Sequence, residues 1–162
     1  MTFSLEDLPP GVSVEGEGRK QTTSDKVVYF RSFQVRSTPI LGSRFLTLRA
    51  ESQLVAKEND ARVSLELLSS KRGRAVLLRT FVHRADIPGR ATVAPLAGLP
   101  AGMVGSVISL RTPKGPFQAF LITLRVSNVV ESLTSFGPAA DVDAEDLAAL
   151  AVKARDRLER SL

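Results

Sequence analysis

The side chains of this sequence best equipped for chemistry are cations. Lys71, Arg72, Arg74, Arg79, Arg84 and Arg90 fall within one stretch. Ammonium and guanidinium groups at that density offer charge and hydrogen-bond donors to an anion such as acidic lipid or a wall polymer. If the stretch is helical, Arg72 and Arg79 stand two turns apart on one side. A solvated turn or face is the plainer reading of the same charges. His83 is the only histidine, so neither a nucleophile-histidine-acid arrangement nor a histidine-based metal site can be assembled around it. The absence of cysteine removes disulfides, thiolate nucleophiles and thiolate metal ligands together. The acid pairs Glu6/Asp7 and Asp141/Asp143 stand beside prolines or a helix start, where turn and capping duties account for them. Gly16-Glu17-Gly18 lacks the strand-to-helix setting of a dinucleotide loop, and no Walker loop is present. The inventory predicts no catalytic residue, no metal and no cofactor, with the basic cluster as the one candidate site.

Composition narrows the partners. There are 22 Lys+Arg against 17 Asp+Glu, for a net charge of +5, which suits an anionic partner. The charge is scattered, and aromatics make up only 6 %, with one Tyr and no Trp, so platforms for stacking bases are scarce and nucleic acid is disfavoured. No apolar run approaches the length of a membrane span. The opening MTFSLEDLPPGVSV lacks the charged start and apolar core of a signal peptide, so the chain is expected to be either cytoplasmic or a mature form without its leader.

The elements that must position the cluster are clearest at the carboxyl end. Phe117 to Val126 is apolar at both parities, as in a strand covered on both faces. Ser127-Asn128 makes a turn, and Val129 to Phe136 returns, with Val129 and Leu133 set against Glu131 and Ser135. Gly137-Pro138 ends the strand. Asp143 then caps a helix with Glu145 and Asp146 in its first turn and Leu147, Leu150, Ala151, Ala154 and Leu158 on one stripe.

Upstream, residues 26–36 and 44–56 read as an antiparallel strand pair, and 103–111 as a further strand. Val12 to Val14 is a short strand and Glu15 to Asp25 a loop. Asn59 to His83 fits a helix beginning at Asn59 or Asp60, and equally a hairpin turning at SSKRGR. Asp86 to Gly102, with three prolines and three glycines, reads as a long irregular connection and a candidate rim for a binding site.

The segments SLEDLPPGV, VVYFRSF and LRVSNVVESLTSFGPAADVDAEDLAALAVKARDRL together resemble a family of small extracytoplasmic domains, many of them lipoprotein-like, from actinobacteria and Chloroflexi-type bacteria. Ser127-Asn128-Val129-Val130 stands where that family carries Gly-Asn-Val-Val, and Met103-Val104-Gly105-Ser106 departs from its Gly-Asp-Glu turn. The resemblance implies an α+β fold, a curved antiparallel sheet with two helices packed on it, similar in outline to PsbP-like domains and kinase sensor ectodomains. It implies helix for Asn59 to His83 and brings no catalytic residues with it.

The expectation is a single α+β domain over 1–162, with 1–25 partly flexible, about five to six strands, and helices near 59–82 and 143–160. Its expected function is non-enzymatic extracytoplasmic binding or sensing of an unknown ligand, in the manner of a lipoprotein domain. The ligand would sit between the sheet and the 86–102 connection, or on the basic cluster. The alternative is a cytoplasmic adaptor that binds another protein through a sheet edge.

Overall fold

The computed structural model describes residue 8 and residues 12–23, 26–35, 46–85, 91–113, 115–140 and 142–162. Among these are seven strands and three helices, one strand and one helix more than the upper bounds read from the sequence. The strands are β1 (Val12–Thr23), β2 (Lys26–Val35), β3 (Leu46–Val55), β4 (Ala91–Pro95), β5 (Met103–Thr112), β6 (Gly115–Val126) and β7 (Val129–Pro138). The helices are α1 (Glu58–Ser69), α2 (Lys71–Ala85) and α3 (Ala144–Ser161). All seven strands join one sheet in the order β1-β2-β3-β7-β6-β5-β4, with antiparallel neighbours throughout.

Side chains alternate across a sheet, so the register sorts the residues onto two faces. Phe33, Leu48, Leu133, Ile122 and Met103 share one face, and α3 lays Leu147, Ala151, Ala154 and Leu158 on it to form the principal core, which Leu8 joins. The other face carries Ile108, Leu110 and Ala119, covered by Leu77, Leu78 and Phe81 of α2, and Val55 and Val130, covered by Ala61 of α1. The chain leaves β3, crosses this second face as α1 and α2, and re-enters the sheet at the far edge as β4. Residues 117–126 are apolar at both parities because β6 lies under helices on both sides.

α3 begins where capping chemistry places it. Asp143 accepts a hydrogen bond from the Glu145 backbone N–H at 2.7 Å, and Glu145 and Asp146 occupy the first turn.

Four expectations are corrected. Glu15 to Thr23 is strand, not loop: β1 pairs along β2, with register shifts between Val14 and Gly16 and between Gln21 and Thr23. Its glycines concealed it, although Gly18 lies against the Phe30 ring, where a Cβ would come within 3.0 Å of Cε1. Part of the 86–102 connection is the edge strand β4, which tolerates Pro95 because an edge residue need not donate outward. The single helix near 59–82 is two helices meeting at Ser70. Finally, Val129, Glu131, Leu133 and Ser135 are not set against one another. A period of two puts all four on the α3 face, and all four are buried.

Candidate anion-binding face

α2 owes its start to Ser70. The backbone of Ser70 ends α1 in an extended conformation, its Oγ accepts from the Gly73 N–H at 2.9 Å, and the same hydroxyl donates to the Leu67 carbonyl at 2.6 Å. One serine thereby satisfies the end of one helix and the beginning of the next. The junction is close-packed. A Cβ at Gly73 would fall onto the Leu67 carbonyl oxygen, so only glycine lets the last turn of α1 meet the first turn of α2.

With Leu77, Leu78 and Phe81 turned to the sheet, the helical period turns Arg72, Val76 and Arg79 outward. Lys71, Arg72 and Arg79 are exposed, and no acidic residue occurs anywhere in α2. Arg74 is partly buried and donates to the Ser69 carbonyl, which assigns it to the helix junction. Arg84 belongs to the last turn of α2, and Arg90 lies outside the described residues, as do Glu6, Asp7 and Asp141. The structure therefore presents Lys71, Arg72 and Arg79 together and diverts Arg74. Lys71 and Arg72 stand at the helix end where unsatisfied N–H groups leave positive charge, so their placement costs stability instead of adding to it.

Neighbouring carboxylates on α1 are largely engaged. Glu66 pairs with Arg62 at 2.9 Å, and Glu58 with Arg125 of β6 at 2.7 Å. Val63 and Leu67 project from α1 with about half their surface exposed, and Val76 does so from α2 (49 %, 52 % and 54 %). Read as a helix, the sequence groups Val76 with Leu77 and Phe81; the structure separates them, turning Leu77 and Phe81 to the sheet and Val76 outward. The helical period puts Ala61, Leu65 and Leu68 on one side of α1, and Val63 and Leu67 lie off that side.

The opposite sheet face carries a second polar grouping. Arg31 donates to Glu17 Oε2 at 2.8 Å, and the Tyr29 hydroxyl donates to the same oxygen at 3.2 Å. Arg19, Tyr29, Ser52 and Glu131 then form one row across β1, β2, β3 and β7, running from the exposed edge to a fully buried carboxylate. His83 lies on α2, away from this row.

The other places where a partner was expected are built differently. Leu96 and Leu99 fold down over Gly105, where a Cβ would come within 2.6 Å of Leu99 Cδ1 and 2.9 Å of Leu96 Cβ; the described part of the 86–102 segment thus fills its space against the sheet with leucine. Of the sheet edges, β1 is broken by two register shifts and carries Glu15, Glu17, Arg19 and Lys20, and β4 is five residues long and ends in proline. Such features discourage strand addition.

No protein-family model matches the chain, and no curated protein matches it. Among solved structures it is similar to the extracellular domain of PknH from Mycobacterium tuberculosis, with a TM-score of 0.60 over 93 % of this chain and 86 % of that one, at 8 % sequence identity. At that identity the likeness is one of fold. Of the outlines that the resemblance implied, the kinase sensor ectodomain is the one the likeness matches. No described helix is long and apolar enough to cross a membrane.

Proposed function

We propose that this chain is a non-enzymatic, extracytoplasmic binding or sensing domain of the lipoprotein-like kind, and that its binding surface is the outward face of α2, which takes an anionic ligand. The carrying observation is that Lys71, Arg72 and Arg79 stand exposed on a helix without acidic residues, two of them at the end where cations are disfavoured. Charge kept where it weakens its own helix is more economically explained by a ligand than by folding. The fold shared with an extracellular domain supports the extracytoplasmic part of the reading.

Titration with inorganic polyphosphate, followed by backbone amide NMR, tests the surface. The α2 amides shift at low salt, the shifts diminish as salt rises, and Arg72→Gln/Arg79→Gln weakens binding roughly tenfold. Shifts elsewhere in the chain, or affinity unchanged in the double variant, refute the assignment. Fractionation of native cells tests location, because recovery in the cytosolic fraction contradicts an extracytoplasmic domain.

A further inference from the structure

We infer that the anionic partner of α2 is the surface of an acidic lipid bilayer, contacted by the outward faces of α1 and α2 together; this rests on the proposed anionic face. The apolar side chains carry the step. Leu54, Val63, Leu67, Val76 and Leu162 are the large hydrophobics exposed among the described residues, and three of the five lie on these two helices. Val63 and Leu67 are one turn apart on α1, and Val76 sits between Arg72 and Arg79 at the spacing that aligns side chains along one helix face. The Gly73 junction holds the Leu67 backbone against the first turn of α2, one turn from Val76, so Leu67 and Val76 flank the junction at the basic end of α2.

A soluble polyanion rewards only the cations. A bilayer rewards both kinds of side chain: headgroup phosphates take the guanidinium and ammonium groups, while valine and leucine enter the boundary with the acyl chains. Glu58 and Glu66, two of the three carboxylates of α1, are held by Arg125 and Arg62. Asp60 is the acidic residue of α1 for which no ion pair is formed among the described residues.

The test is co-sedimentation of the whole chain with vesicles of phosphatidylcholine, with and without phosphatidylglycerol. Lys71, Arg72 and Arg79 give a preference for the acidic vesicles on the order of a hundredfold. Arg72→Gln/Arg79→Gln removes about twenty-five-fold of it. Val63→Ser/Val76→Ser, at positions exposed in the fold, lowers binding roughly tenfold. The chain has no tryptophan, so Val76→Trp introduces a single reporter whose fluorescence brominated acyl chains quench in acidic vesicles. Equal pelleting with neutral vesicles, or binding unmoved by the valine changes, overturns the inference. Polyphosphate binding at α2 without vesicle binding overturns it and leaves the proposed anionic face standing; loss of both removes both.

Discussion

Tyr29 is a side chain whose acid-base behaviour the fold changes. Burial pushes its phenol above the ordinary value of 10.0, the hydrogen bond to Glu17 and the charge of Glu17 push the same way, and Arg31 opposes them. The folded state thus favours the neutral phenol. Its contribution to stability is complete below the ordinary value and is lost as pH rises through the raised one. Because Tyr29 is the only tyrosine, tyrosinate absorbance reports it alone. The midpoint is expected above 10.0, and Glu17→Gln should lower it without restoring the ordinary value, since burial persists. A midpoint unmoved by that substitution contradicts the geometry. Strand composition placed Tyr29 in the sequence, but not its link to Glu17, which depends on β1 pairing with β2 through a bulge that shifts the register.

At the scale of elements, the α1–α2 junction depends on the absence of a side chain at Gly73. A glycine inside a helical pattern is ordinarily about 1 kcal/mol worse than alanine. At Gly73 the sign reverses, because the methyl group would occupy the place of the Leu67 carbonyl. Gly73→Ala is expected to destabilise the chain by about 1–3 kcal/mol, as overpacking does, measured by the denaturation midpoint at unchanged slope. A stabilised variant would mean that α1 and α2 do not meet in this way. The serines and glycine of SSKRGR signalled an interruption correctly, but local sequence does not distinguish a hairpin turn from a helix-to-helix corner. The decision came from what each half packs on: Ala61 against Val55 and Val130, and Leu77, Leu78 and Phe81 against Ile108, Leu110 and Ala119.

For the whole molecule, the sheet separates two tasks. α3 closes the principal core on one face, and α2, lying beside α1, presents Lys71, Arg72 and Arg79 from the other. Leu147→Ala is expected to lower stability by about 2–5 kcal/mol, since Leu147 is 2 % exposed, while leaving vesicle binding of the folded protein unchanged. Loss of both in the folded protein would show that the two faces are not independent. Sequence alone determined the helix from Asp143 onward and the hairpin turning at Ser127-Asn128, because capping, periodicity and turn chemistry are local and act within a few residues. It also placed the basic residues in one stretch and ruled out thiol chemistry. Only the tertiary structure decided that β1 runs on past Val14 and that β4 is a strand, since the evidence for each is its pairing with the next strand of the chain, β2 and β5, and not its own composition. It alone decided which cations face outward and which one the helix junction keeps, because exposure is set by what the opposite side of a helix is buried against.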